Sequence, residues 1–178
     1  MGAVGALSRT IRSVAACGLI GVSAVMVSGC GFTPLYGPTA SGAQLSDVMK
    51  SVDIAIVPGR VGLLIRNELI FRTTGGGYAD TPKYRLEIAV RESTQKTLVN
   101  QQGDALGGIY QLYSEYRLVR LADKKIVMEG HSNARAAFDE ASSVFAGQRA
   151  NRDAEERAAQ TTAESIRTRL ASFLSTAT

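Results

Sequence analysis

Residues 1–29 carry the pattern of a leader that is removed before the rest of the chain folds. Two arginines precede an apolar run, Val14–Val27, which is shorter than the roughly 20 residues that a helix needs to cross a bilayer. The small residues Ser28 and Gly29 stand directly before Cys30, as cleavage by a lipoprotein signal peptidase requires. We predict a lipoprotein signal peptide at residues 1–29 and lipidation of Cys30. The alternative is an ordinary cleaved signal, or a short anchor that happens to contain a cysteine.

The composition of the mature chain excludes several classes of function. All 16 acidic residues and 18 of the 20 basic ones follow Cys30, so the mature net charge is 18 − 16 = +2. Because no block of about five or six like charges is present, we predict no nucleic-acid partner. Cys17 lies within the leader, so Cys30 is the single remaining cysteine and no disulfide can form within the chain. Packing alone must stabilise the domain.

The chain between the leader and the domain is predicted to be extended. Two prolines and three glycines lie between residues 31 and 43, and they exclude a helix there. We therefore assign residues 30–50 to a lipidated N-terminus and linker, and residues 51–178 to a folded domain. Such a linker holds a domain away from the membrane surface.

A strand and a helix are predicted at the start of the domain. Ser51–Val57 alternates apolar and polar side chains, which predicts a strand with Val52, Ile54 and Ile56 on one face. From Arg60 to Arg72 the spacing becomes helical, and Glu68 can pair with Arg72 one turn later. The apolar residues of this helix cover more than one face, and they are Val61, Leu63, Leu64, Ile65, Leu69, Ile70 and Phe71. Either the helix is well buried in its own domain, or a partner covers a second face.

Three later segments alternate as strands that are covered on one side only. They are Tyr84–Arg91, Ile109–Leu121 and Ile126–Phe138. The last two flank a short polar turn, so they should form an antiparallel hairpin. In the final strand Ile126 shares one side with Met128, Ala134, Ala136 and Phe138. The alternation in the middle strand slips near Leu118–Val119, where a β-bulge could absorb the shift.

A long helix is predicted from about Gly147 to Leu174. At a rise of about 1.5 Å per residue it would be about 40 Å long. Small residues recur at every fourth position in its first half (Ala150, Ala154, Ala158 and Thr162), and larger apolar residues continue the stripe. The small residues allow another surface to approach closely, and we expect the helix to lie along the sheet.

The sequence contains no catalytic or metal-binding constellation. His131 is the only histidine, and it falls on the polar side of its strand, which indicates a solvated side chain. Without a second histidine or a free cysteine, neither a metal cluster nor a Cys–His pair can be built. Glu155 and Glu156 are neighbours about 100° apart around a helix, so they cannot converge like paired catalytic carboxylates. We predict a protein that is not an enzyme and needs no metal or cofactor.

Three sequence blocks, in this order, resemble one family. Residues 30–37 (CGFTPLYG) follow the lipidation point, residues 60–69 (RVGLLIRNEL) form the first helix, and residues 145–159 (FAGQRANRDAEERAA) open the last helix. The blocks extend over nearly all of the mature chain, which resembles the LPS-assembly lipoprotein LptE family of Gram-negative bacteria. The resemblance implies an α+β fold with two helices packed on a mainly antiparallel four-stranded sheet.

The resemblance also implies a function. Members of this family are lipid-anchored on the periplasmic side of the outer membrane, where they plug the LptD β-barrel during lipopolysaccharide transport to the cell surface. The family is associated with lipopolysaccharide binding through basic side chains, and Arg149, Arg152 and Lys96 are the candidates here, with Lys96 in the connection after the Tyr84 strand. The alternative is a free-standing lipoprotein that faces the periplasm and binds a small amphiphile.

Overall fold

The computed structural model describes residues 44–77, 79, 81–99, 105–139 and 143–177. The predicted signal peptide, Cys30 and the linker up to residue 43 lie outside these residues. In chain order the elements are α1 (Leu45–Lys50), β1 (Val52–Ile54), α2 (Arg60–Thr74), β2 (Tyr84–Val99), β3 (Ala105–Arg120), β4 (Ile126–Asp139) and α3 (Val144–Ala177). The fold is therefore α+β, as predicted.

The four strands form one sheet in the order β1-β2-β3-β4. The pairs β2–β3 and β3–β4 are antiparallel, whereas β1 runs parallel to β2 because α2 crosses between them. Leu86 pairs with Leu118, which in turn pairs with Met128, so one row of side chains crosses three strands. The register between β3 and β4 shifts at Leu118–Val119, which confirms the predicted irregularity.

One face of the sheet carries the core, and the helices cover it. Its buried side chains are Leu86, Ile88, Tyr110, Leu112, Tyr116, Leu118, Ala134 and Ala136. This confirms the predicted inward parity of the three long strands. Ile126, the first residue of β4, is an exception. It lies beyond the register shift, and its side chain is exposed.

The first strand is shorter than predicted. It ends at Ile54, and the chain then changes phase so that Val57 is buried and Ile56 is exposed. The prediction that Ile56 faces the core with Val52 is therefore wrong. Val57 packs closely against α2 at Gly62. A Cβ added to Gly62 would lie only 2.7 Å from Val57 Cγ1 and 2.8 Å from the Val57 carbonyl oxygen. Only glycine at position 62 allows this close approach.

Helix α2 buries one face and leaves another exposed. Val61, Ile65 and Leu69 are buried, whereas Leu63 and Phe71 are exposed on the other side. Its own domain therefore does not bury this helix on all sides. The predicted pair is present, with Arg72 Nε 2.5 Å from Glu68 Oε1. The helix ends at Gly75, whose φ of 74° is left-handed, a conformation that glycine adopts readily.

Helix α3 has 34 residues and is about 50 Å long at a rise of about 1.5 Å per residue. Its buried residues are Ala154, Ala158, Ala159, Thr162, Ala163, Ile166, Leu170, Ala171 and Leu174. Arg157 donates a hydrogen bond to the carbonyl oxygen of Ala137 on β4 at 2.8 Å. The helix packs along β3, β4 and α2, as its stripe of small and apolar residues predicted.

A short helix that the sequence did not indicate occupies the end of the predicted linker. Helix α1 buries Leu45 and Met49, which are four residues apart and so share one face. It contacts α2, α3 and β1. The folded domain therefore includes residues before the predicted boundary at 51, because Leu45 and Met49 join the common core.

Candidate functional site

The candidate site is a groove of about 650 Å³ where α3 begins. Its walls come from the distal parts of β2 and β4 and from the first three turns of α3. The lining residues are Thr94, Lys96, Phe138, Ser143, Val144, Gly147, Gln148, Asn151, Arg152 and Glu155.

The floor of the groove is one row of paired residues across three strands. Lys96 on β2 pairs with Gly108 on β3, and Gly108 pairs with Phe138 on β4. An added Cβ at Gly108 would lie 2.7 Å from Phe138 Cζ and 3.0 Å from the carbonyl oxygen of Gln95. Because Gly108 has no side chain, the Phe138 ring can lie across β3 between the groove and the core.

The structure brings two of the predicted basic residues into this groove. Lys96 and Arg152 both line it, one from the sheet and one from α3. The expectation that Lys96 lies in a connection after its strand is wrong, since it lies within β2. The polar residues at 92–96 continue the strand because β3 pairs with them.

Glu155, the acidic residue that lines the groove, is paired with an arginine of another helix. Arg60, the first residue of α2, places Nε 3.0 Å from Glu155 Oε2 and lies 3.9 Å from Glu156. The hydrogen bonds that it donates to Glu155 raise the pKa of Arg60 above its ordinary value, so the guanidinium stays charged. Glu155 is thus paired with Arg60, and the basic side chains that line the groove are Lys96 and Arg152.

Tyr110 is buried close to Arg60 and Glu155. The Tyr110 hydroxyl donates a hydrogen bond of 2.7 Å to Glu92 Oε2. Burial, and secondly this hydrogen bond, raises the pKa of Tyr110 above its ordinary value. Tyr110 thus stays neutral, and its hydrogen bond joins β3 to β2 next to Thr94, which pairs with Tyr110 and lines the groove.

Arg149 does not line the groove. Its guanidinium carbon lies 5.9 Å from the centre of the Phe145 ring, in a cation–π contact on the neighbouring stripe of α3. Val144, which lines the groove, and Phe145 are both exposed. Pattern analysis did not identify these two residues. The signal that could have shown them is an adjacent apolar pair at a helix start, outside the buried stripe.

A second hollow, of about 830 Å³, lies on the uncovered face of the sheet. It includes His131, which is exposed as predicted and stacks on Tyr113 with ring centres 6.2 Å apart. Its charged residues are Glu87, Glu115, Arg117 and Glu129, and Arg117 donates to Glu87 at 2.6 Å. Arg91 lies 3.6 Å from Glu115, so the basic side chains at this hollow are already paired with carboxylates and do not favour an anionic ligand. The groove at the start of α3 is therefore the stronger candidate.

The part of the chain that the structure describes has neither a metal cluster nor a membrane-spanning helix. There, no group of three or more His, Cys, Asp or Glu side chains is arranged to hold a metal ion. None of the helices described is both long enough and apolar enough to span a bilayer.

Solved structures of bacterial lipoproteins share this fold. A candidate lipoprotein from Caulobacter crescentus CB15 matches with a TM-score of 0.63 and 24% identity, over 73% of this chain and 94% of that one. Rare lipoprotein B from Shewanella oneidensis matches with a TM-score of 0.53 and 12% identity, over 68% and 93% of the two chains. Lipoprotein B from Nitrosomonas europaea gives 0.51 and 12%, over 68% and 82%.

The similarity is one of fold and not of close sequence. No protein-family model matches the sequence, and no curated protein matches it significantly. The matched structures are nonetheless covered over most of their length. The chain therefore has the fold of a class of small bacterial lipoproteins, with the helices on one face of the sheet.

Proposed function

We propose that this protein is an outer-membrane lipoprotein, held on the periplasmic side by acyl chains on Cys30, that plugs a LptD-like β-barrel. In that role it assists lipopolysaccharide transport to the cell surface and catalyses no reaction. The observation that carries the proposal is the lipoprotein fold, which follows a lipidation sequence in the same chain. The three sequence blocks that resemble the LptE family supply the partner.

The surface of the domain suits the lumen of a large barrel. Such a lumen is polar and would be an open channel unless a folded domain filled it. The uncovered face of the sheet is polar, and its charges are largely paired: Arg117 with Glu87 at 2.6 Å, and Arg91 with Glu115 at 3.6 Å. A surface of this kind can enter a polar lumen without burying an uncompensated charge.

The first prediction concerns the partner. We expect the tagged full chain, purified from detergent-solubilised outer membrane, to bring with it a large heat-modifiable β-barrel protein at about equal stoichiometry. Quantitative mass spectrometry of the eluate measures the ratio. A tagged, unrelated outer-membrane lipoprotein purified in parallel controls for barrels that are merely abundant. Recovery of the chain without a barrel would contradict the plug and favour the amphiphile-binding alternative.

The groove supplies a second part of the proposal, the contact with lipopolysaccharide. Lys96 and Arg152 face one space from opposite walls, and Arg149 lies on the next stripe of the same helix. Phosphate groups accept charge-assisted hydrogen bonds from such side chains, and two cations on separate elements can hold one phosphate from two directions. We assign the phosphates of lipopolysaccharide to this groove.

The second prediction tests that contact. We expect Lys96→Ala combined with Arg152→Ala to weaken binding of purified lipopolysaccharide at least tenfold, since a hydrogen bond to a charged group contributes about 1.5–3 kcal/mol. Adding Arg149→Ala should weaken it further. Arg169→Ala is the matched control: it removes an exposed arginine of the same helix, 17 residues later and about 25 Å away. Equal affinities for the double variant and the control would refute the assignment.

A further inference from the structure

The outer edge of β4 has no strand beside it among the residues that the structure describes, because β4 is last in the order β1-β2-β3-β4. On β2 the carbonyl oxygen of Leu86 accepts a hydrogen bond from the Ala55 amide, on the β1 side. Since the backbone groups of successive residues point to alternate edges of a strand, odd-numbered residues of β2 point to β3. Through the paired registers, the odd-numbered residues of β4 from Glu129 onward then point to the open edge.

Two features set the ends of this open edge. At one end Arg157 of α3 donates a hydrogen bond of 2.8 Å to the carbonyl oxygen of Ala137, so this outward group is already satisfied. At the other end the ladder to β3 is irregular before Met128, where the register shifts. We call the regular stretch between these two points the β4 edge, and its outward residues are Glu129, His131, Asn133 and Arg135.

The charged side chains of the β4 edge are exposed and unpaired. Glu129 and Arg135 both lie on the uncovered face of the sheet, and neither forms an ion pair with another described residue. On the neighbouring strands the arginines of this face are paired, Arg91 with Glu115 and Arg117 with Glu87. The β4 edge therefore carries one free carboxylate and one free guanidinium, six positions apart.

The covered side of β4 leaves room for another strand. The residues that alternate with the four outward ones are Gly130, Ser132 and Ala134, which are all small. Helix α3 contacts β3 as well as β4, so it lies over the two strands together and not beyond the edge. A further strand can therefore approach the β4 edge at the usual spacing of about 4.8 Å.

The β4 edge is complementary to a second copy of itself. Its four outward residues are evenly spaced about Ser132, so two copies that pair antiparallel along the whole edge have their twofold axis at Ser132. In that register Glu129 of each copy lies opposite Arg135 of the other, and His131 lies opposite Asn133. The register that uses every open backbone group is thus the one that joins the unpaired charges. Opposite charges that face each other directly stabilise an antiparallel pair.

We propose that two copies of this chain associate through the β4 edge, antiparallel and centred on Ser132, so that their sheets become continuous. An edge strand exposes a row of unpaired backbone groups, and pairing two such edges satisfies both rows. The inference goes beyond the proposed function and concerns the chain outside a barrel, because a plug at equal stoichiometry is a single copy.

Reversal of the two charges tests the pairing. Sedimentation velocity of the full chain in mild detergent, over a range of concentrations and with the bound detergent subtracted, measures the dimer. We expect the wild-type chain to dimerise. Glu129→Arg and Arg135→Glu should each raise the dissociation constant of the dimer at least about tenfold, because like charges then face each other at two places. Circular dichroism should show an unchanged fold for both variants.

The two variants also provide their own controls. In an equimolar mixture the arginines of one variant face the glutamates of the other, so the mixture should form a heterodimer about as tight as the wild-type dimer. The double variant Glu129→Arg/Arg135→Glu restores both pairs, keeps the net charge of the wild-type chain, and should dimerise as well. His131→Pro removes an outward amide that the fold of one copy does not use, so it should prevent the dimer and leave the circular dichroism unchanged.

Each outcome decides the inference separately from the proposed plug. A wild-type chain that stays monomeric, or single variants that dimerise as the wild-type chain does, would overturn it and leave the plug untouched. A mixture that fails to associate would also overturn it, because the two charges would then not face each other. If the wild-type chain is monomeric and Glu129→Arg reduces recovery of the barrel, the β4 edge is a contact with the barrel and the pairing of two copies is wrong.

Discussion

Leu170→Ala is expected to lower the free energy of unfolding by about 2–5 kcal/mol, the largest loss of stability from a single truncation that we predict here. Leu170 is fully buried on α3, in the half of the helix where bulky side chains replace alanines. The loss combines the transfer free energy of the removed atoms with the cavity that they leave. Both terms are large at a site from which water is excluded.

The matched control is Leu63→Ala on α2. Leu63 is 49% exposed, so the same substitution in a helix removes little buried surface and should change the free energy of unfolding by less than about 1 kcal/mol. Urea unfolding of the full chain in detergent, followed by circular dichroism at 222 nm, measures both. Similar losses for the two variants would show that the C-terminal half of α3 is not part of the common core.

The sequence predicts the strands well where apolar and polar residues alternate, because each side chain then faces either the core or the solvent. Leu86 and Ile88 alternate with Arg85 and Glu87, so one face of β2 is apolar, and the structure buries that face. The same alternation identified β3 and β4. The slip at Leu118–Val119 was visible because a period of two tolerates no extra residue without reversing the faces.

The sequence was uninformative where hydrogen bonding to another strand decides the structure. Residues 92–96 are polar and exposed, yet they extend β2 because β3 supplies backbone partners across them. The position of Lys96 was misjudged for this reason. Conversely, Ile56 continued the alternation of β1 but lies beyond the strand, where the close approach of Gly62 brings Val57 into the core instead.

The candidate site could be predicted only in part. Arg152 and Lys96 were chosen for their charge, without any pattern that related them, and their proximity depends on the extended hairpin of β2 and β3. Arg60 was recognised as the start of a helix, but its role at Glu155 was not foreseen. That contact joins residues 95 positions apart, and no local periodicity encodes it.

Cys30→Ala is expected to abolish lipid attachment and, with it, retention of the chain in the membrane fraction. The Cys30 thiol is the proposed site of lipid attachment, and alanine has no atom that can replace it. Each buried CH₂ of an acyl chain contributes about 0.8 kcal/mol, and stable anchoring needs more than one chain, so losing them all removes the proposed anchorage. Metabolic labelling with palmitate, together with mass spectrometry of the N-terminal peptide, measures the loss.

Cys17→Ala provides the control because the chain has two cysteines and this one lies inside the predicted leader. It should leave palmitate incorporation unchanged and give the same mature N-terminal peptide, starting at Cys30. In the Cys30→Ala variant the peptide should still carry its leader, since cleavage depends on the modified cysteine. If label persisted without Cys30, or an unmodified Cys30 thiol were found behind an intact leader, the anchored location would be wrong. The proposal of a membrane-anchored plug would then fall with it.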